Sequence, residues 1–121
     1  MYELSIERDF DAAHAITMAG ECEESHRHTW HVTVIVAGAQ LDGDGLLCDF
    51  HLLERGLGEI VERFDDGDLN AIAPFDQLNP TAEHVAQYIA QQMSVRLPEG
   101  VALRRVSVTE APGCCATYIE K

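Results

Sequence analysis

Three histidines and one cysteine near the N-terminus offer the clearest chemistry in this chain: His14, Cys22, His26 and His28. A lone histidine is usually a surface or hydrogen-bonded residue, and an H-x-H pair also arises by chance. A third histidine of matching strand parity changes that weight. Suppose two strands form an antiparallel hairpin with residues 15–25 as the loop. His14 then ends the first strand, and His26 and His28 begin the second. Residues i and i+2 of a strand point the same way, so all three imidazoles converge on one face. Three histidines without a fourth protein ligand suit a catalytic zinc, which keeps an open coordination position, whereas a structural zinc normally takes four protein ligands. Cys22 falls in the loop that closes over this site. A thiol near zinc forms thiolate more readily and can then take a proton as a general base. Farther along, Glu110 follows Thr109 at the end of a later strand. A carboxylate there can accept two parallel N–H bonds from an amidine-like edge, such as that of a pterin or guanine ring.

The elements that position these residues follow from hydrophobic periodicity. Tyr2, Leu4, Ile6 and Phe10 alternate with Glu3, Ser5, Glu7 and Asp9, the pattern of a half-buried strand. Continuing the parity puts Ala12 and His14 on the apolar face. Thr29 to Ala37 reads as a second strand with Trp30, Val32, Val34 and Val36 on one face. His26 and His28 join that face if the strand begins early. Residues 40–45 carry turn chemistry. Asp49 then caps a helix whose stripe is Phe50, Leu53, Leu57, Ile60, Val61 and Phe64, slightly weakened by Gly56 and Gly58. Asp65-Asp66-Gly67-Asp68 ends it. A second helix starts near Asn79-Pro80-Thr81, with Asn79 or Thr81 as cap and Pro80 in the first turn. Its buried stripe is Ala82, Val85, Ala86, Ile89 and Met93. Val101 to Glu110 and Cys115 to Ile119 read as two more strands. The order ββααββ predicts an α+β fold, an antiparallel sheet with both helices on one face.

Composition narrows the function. The 121 residues, 46% of them apolar, predict a single domain spanning 1–121. A net charge of −13 argues against nucleic-acid and anionic-membrane partners, because both would be repelled. An anionic small substrate would need local positive charge from a metal, helix N-termini or some of the seven arginines. The one lysine, Lys121, argues against Schiff-base chemistry. No apolar run is long enough to span a bilayer, and the N-terminus lacks signal-peptide features, so the expected location is cytoplasmic. The remaining cysteines, Cys48, Cys114 and Cys115, form no paired-cysteine zinc motif and are expected to be buried or inert thiols.

Taken together, Phe10-Asp11-Ala12-Ala13-His14, Cys22-x-x-x-His26-x-His28, Asp49-Phe50, Asp65-x-x-x-Leu69-Asn70, Asn79-Pro80-Thr81-x-Glu83 and Thr109-Glu110 resemble the 6-pyruvoyl-tetrahydropterin synthase and 6-carboxytetrahydropterin synthase family. The resemblance covers almost the whole chain, in order. It implies the tunnelling fold (T-fold), a four-stranded antiparallel sheet with two helices. Three subunits then pair their sheets into a barrel, and two rings stack into a homo-hexamer with sites at subunit interfaces. It implies Zn2+ held by His14, His26 and His28, Cys22 as base, and Glu110 with Thr109 at the pterin. The implied substrate is 7,8-dihydroneopterin triphosphate, from which triphosphate is eliminated. In the carboxytetrahydropterin branch, which feeds queuosine biosynthesis, the side chain is also cleaved and acetaldehyde released.

Two positions depart from the family pattern. Asp65 and Asp66 stand where the family usually has an Asp-His pair that relays protons with the cysteine, and Arg27 stands where it commonly has glycine. An unperturbed aspartate is a poor acid at neutral pH, unlike histidine, although a second carboxylate beside Asp65 can raise the pKa of one of the two. Arg27 either meets the substrate's triphosphate or points to solvent. The readings that follow are a zinc-dependent lyase of the 6-carboxytetrahydropterin synthase type, the same lyase without side-chain cleavage, and a divergent pterin- and zinc-binding homologue whose activity Asp66 has altered or removed.

Overall fold

The computed structural model describes residues 1–121. Strand β1 (Tyr2–His14) pairs antiparallel with β4 (His26–Gly38) in an unbroken ladder, from Tyr2 opposite Gly38 to His14 opposite His26. β4 therefore begins three residues earlier than its apolar alternation suggests, at His26 instead of Thr29. The register with β1, not local hydrophobicity, extends it. β4 also pairs antiparallel with β6 (Ala102–Ala111), and β6 with β7 (Cys114–Ile119). The connection from β1 to β4 carries its own small ladder, β2 (Thr17–Met18) against β3 (Glu21–Cys22). A two-residue strand, β5 (Gly67–Asp68), adds in parallel to β1 at Ala12 and Ala13. The main sheet thus runs β5-β1-β4-β6-β7. It is the expected four-stranded antiparallel sheet with one short parallel edge added.

Alternation sorts the two faces. Ile6, Phe10, Ala12 and His14 of β1 are buried together with Trp30, Val32, Val34 and Val36 of β4 and Val106 and Val108 of β6. Both helices cover this face. α1 (Phe50–Glu62) begins at Asp49, whose carboxylate accepts the His51 N–H at 2.9 Å, and buries Leu53, Leu57, Ile60 and Val61. Phe50, at the edge of the expected stripe, is half exposed. Gly58 does more than weaken the helix. A Cβ there would lie 2.8 Å from Nη1 of Arg8, so its hydrogen side chain makes room for a guanidinium. α2 (Ala82–Ser94) is capped by Thr81, whose hydroxyl accepts the His84 N–H at 3.1 Å. Pro80 precedes the cap instead of lying in the first turn, which frees its carbonyl for the site. The opposite face carries Glu7, Asp9, Asp11, Arg27, Thr29 and His31 and is left polar.

Trp30 lies at the centre of the packing and is completely buried. It stacks on Phe10 at 5.8 Å, and its indole N–H donates to the Ala12 carbonyl at 3.1 Å. A buried indole needs that partner. Its ring also meets His14 edge-on at 4.7 Å, so the core forms the floor of the histidine cluster. Cys114 and Cys115 are exposed, contrary to the expectation of burial, because β7 is an edge strand with a solvated turn beside it. Cys48 is half-buried, and burial together with the nearby Asp49 carboxylate pushes its thiol pKa up.

Candidate metal centre

His14 ends β1, and His26 and His28 begin β4, as strand parity requires. Their ring centroids lie 4.4–5.4 Å apart. Glu110, near the end of β6, brings a carboxylate to the same point. One ligand atom from each of these four residues falls within 4.8 Å of every other. Glu110 Oε1 is 2.8 Å from His14 Nε2, 3.3 Å from His28 Nε2 and 3.8 Å from His26 Nε2.

The rings are oriented from behind. His14 Nδ1 lies 2.8 Å from the carbonyl of Pro80, and His26 Nδ1 lies 3.1 Å from the carbonyl of Glu24. A carbonyl only accepts, so each Nδ1 carries the proton; a neutral His26 then presents its Nε2 lone pair to the centre, and His14 Nε2 points the same way, within hydrogen-bond distance of the Glu110 carboxylate. This outer hydrogen bond is the one that metal-ligating histidines usually make. His28 adds a sharper sign. Its Nε2 is buried, has no hydrogen-bond partner, and faces the same centre. The contact with Glu110 lies within ion-pair distance but lacks hydrogen-bond geometry. Buried polar atoms rarely stay unpaired, and an imidazole nitrogen without a hydrogen-bond partner is free to ligate a cation. Burial first, and then the neighbouring His26, lower the His28 pKa. Both effects favour the neutral, ligating form of the ring. The three imidazoles fit a tetrahedral N/O metal such as zinc with one position left open, and the Glu110 carboxylate borders that position.

The other candidate residues fall around this centre in different ways. Cys22 sits in the β2–β3 hairpin, exposed, its thiol making one contact to the Glu23 carbonyl at 3.5 Å. It lies outside the four-residue cluster. Asp65 accepts the Asp11 N–H at 2.9 Å. The Asp66 N–H donates to the Asp11 carbonyl at 2.6 Å, and its carboxylate forms an ion pair with Arg27. The two aspartates therefore face different partners and do not form a carboxylate pair. Thr109 lies opposite His31 across the β4–β6 ladder. It lines a cleft of about 460 Å³ together with Arg27, His28, Thr29, His31 and Glu110. Glu110 also borders a second cleft, of about 350 Å³, that reaches Glu83 and Cys115. Glu110 thus joins the metal cluster to both openings.

Sequence reasoning missed several contributors. It placed Glu110 at a ring-binding position, not among the imidazoles. Asn70 binds both backbone groups of Ala15, at 2.8 and 2.9 Å, and Asn79 binds both of Thr17, at 2.9 Å each. These two amides tie the Cys22-bearing loop to the body. Both stood in the motifs quoted above, but nothing in their spacing indicated what they hold. The Pro80 carbonyl had no sequence signal at all, because every residue has one. His31 is gripped between Asp9 on Nδ1 and Glu7 on Nε2, the latter at 2.7 Å.

Comparisons with known proteins identify the family and the fold. The family model described as 6-pyruvoyl tetrahydropterin synthase matches residues 3–121. A Pyrococcus furiosus protein named dihydroneopterin monophosphate aldolase is 37% identical over 101 residues, 84% of this chain and 82% of its own length. A 6-carboxy-5,6,7,8-tetrahydropterin synthase of Bacillus subtilis is 33% identical over 102 residues, 79% of this chain and 68% of its own. The structure of Caenorhabditis elegans 6-pyruvoyl tetrahydropterin synthase matches with a TM-score of 0.83 at 20% identity, covering 100% of this chain and 98% of that one. At that identity the likeness speaks for the fold alone.

Proposed function

The chain belongs to the 6-pyruvoyl tetrahydropterin synthase family, and from that premise we propose that it is a zinc-dependent lyase acting on the side chain of a phosphorylated 7,8-dihydroneopterin. The observation that carries this reading is the convergence of three imidazole Nε2 atoms, two of them fixed by Nδ1–H bonds to backbone carbonyls and the third left orphaned. His14, His26 and His28 would hold the metal. Bound there, zinc supplies a Lewis acid that polarises the side-chain hydroxyls of the substrate and makes their protons easier to remove.

The chain's own groups do the rest. Glu110 offers its carboxylate to the amino-pyrimidine edge of the pterin, with Thr109 beside it in the cleft. That edge donates two parallel N–H bonds, and a carboxylate accepts both. Cys22, on the loop tied down by Asn70 and Asn79, takes the proton from the side chain. Its thiol is exposed on the hairpin and so is open to a ligand. Asp65 holds the turn at residues 65–66 against β1 through the Asp11 N–H.

Within this class the leading reading is conversion of 7,8-dihydroneopterin triphosphate to 6-carboxy-5,6,7,8-tetrahydropterin. One water would be consumed as acetaldehyde and triphosphate leave, and the name of the Bacillus subtilis relative carries the carboxytetrahydropterin product. A second reading is aldol cleavage of the monophosphate, giving a hydroxymethyl pterin and a two-carbon aldehyde phosphate. The name of the Pyrococcus furiosus relative favours it, as does the single guanidinium, Arg27, that lines the cleft. Incubating the zinc-loaded protein with each phosphate ester and identifying products by mass spectrometry separates the readings. Turnover of neither substrate by folded, zinc-loaded protein would overturn the lyase and leave a pterin-binding homologue.

A further inference from the structure

We propose that Arg27 is the phosphate-recognising side chain of this site, and that Asp66 is its positioning residue, a carboxylate that the substrate's phosphate displaces. The inference rests on the substrate class proposed above and names how that class is recognised.

Arg27 has odd parity on β4, so it leaves the sheet on the polar face while His26 and His28 leave on the other. The cleft wraps around this end of the sheet. Arg27 and His28 therefore line the same opening although they point to opposite faces. Arg27 is the one arginine or lysine in that lining. Its other members are His28 and His31, Thr29, Thr109, Glu110, Ala111 and Pro112. His31 is already neutralised by Glu7 and Asp9. In a chain of net charge −13, a phosphate approaching this cleft finds Arg27 as its one unburied cation with a planar fork of donors.

Asp66 is built to hold that fork in place. Its backbone is fixed in a left-handed conformation, φ 61°, which aspartate adopts more readily than most residues. The N–H of Asp66 is bonded to the Asp11 carbonyl, and the next two residues form β5 against β1. The carboxylate is thus anchored at the sheet edge, while Arg27 pairs with Ala13 on the far side of β1. Ala13 offers only a methyl group, so the guanidinium can cross β1 to reach Asp66.

The pair is weak enough to exchange. The Asp66 side chain is 88% exposed and that of Arg27 48%, and a solvated pair of this kind holds little free energy. A phosphate ester carries more charge than a carboxylate and accepts the fork bidentately. It would displace Asp66 while the carboxylate keeps the guanidinium aimed when no ligand is present.

The test is calorimetric titration of zinc-loaded protein with 7,8-dihydroneopterin, its monophosphate and its triphosphate, in wild type and in Arg27→Gln, Arg27→Lys and Asp66→Asn. Wild type should bind the phosphorylated forms at least about tenfold more tightly than the free alcohol, with a preference that shrinks as salt rises. Arg27→Gln should erase the preference and leave binding of the unphosphorylated compound within about twofold. Arg27→Lys should restore part of it. Asp66→Asn should tighten the phosphorylated ligands by up to about fivefold. Equal weakening of all three ligands in Arg27→Gln, or an intact preference, overturns the assignment of Arg27. Weaker phosphate binding in Asp66→Asn overturns the displacement. A folded wild type that binds no pterin at all overturns the proposed function, and this inference with it.

Discussion

Replacing Asn70 by alanine should separate the two parts of this site. Asn70 accepts the Ala15 N–H at 2.8 Å and donates to the Ala15 carbonyl at 2.9 Å. Each such bond contributes about 0.5–1.5 kcal/mol net. Ala15 is only half-buried, so water can replace part of what is lost, and the sum falls to about 1–2 kcal/mol. For a chain of this length each kcal/mol lowers Tm by ~4 °C, giving a fall of roughly 4–8 °C. The functional consequence should be sharper. His14, His26 and His28 are held by the β1–β4 ladder, not by Asn70, so zinc should remain. The loop bearing Cys22 loses one of its two tethers, so turnover should drop by about tenfold or more through misplacement of the thiol. Scanning calorimetry, metal analysis and steady-state kinetics on one preparation test all three statements. Loss of zinc in Asn70→Ala, or unchanged turnover alongside the expected fall in Tm, would refute the idea that this amide serves the loop and not the metal.

Three further outcomes follow from local geometry. Gly38→Ala should destabilise by about 2–3 kcal/mol in chemical denaturation, because its Cβ would sit 2.5 Å from both the Gly100 carbonyl oxygen and Leu47 Cδ1. Gly58→Ala should be nearly neutral, since the clashing group is the flexible Arg8 guanidinium and the gain in helix propensity offsets it. His31→Gln should lower stability by up to about 0.5 kcal/mol near pH 6, the exposed ring limiting the effect. Hydrogen bonds to Asp9 and then Glu7 raise the His31 pKa in the fold. That stabilisation is complete below the unfolded histidine pKa and is lost as pH rises through the raised folded value. The difference between wild type and His31→Gln should therefore shrink as pH rises through the raised folded value.

Much of this arrangement is legible in the chain because it follows from periodicity. The alternation of Ile6, Phe10 and Ala12 carries through to His14, and H-x-H places His26 and His28 on one side of any extended strand. Asp49 and Thr81 cap their helices as their types suggest. The illegible parts depend on tertiary pairing. His26 and His28 are flanked by Ser25, Arg27 and Thr29, with no apolar alternation of their own, and only the register with β1 makes them strand. β5 is two residues long and exists because Asp65 and Asp66 are stitched to Asp11. Glu110 reaches the imidazoles across 96 residues of sequence, and Arg27 meets Asp66 across 39. Pro80 matters through its carbonyl, and no residue type encodes that. The exposure of Cys114 and Cys115 follows from β7 being an edge, which only the sheet order reveals.

The central claim is that three histidines hold a zinc ion on which the lyase depends. Stripping the purified protein with a chelator, checking that its fold is intact, and then titrating zinc while following consumption of the dihydroneopterin phosphates tests it most directly. Activity should vanish on stripping and return in full at about one zinc per chain, whereas His28→Ala should neither bind the ion nor recover. Full turnover by metal-free protein of unchanged fold would contradict the account.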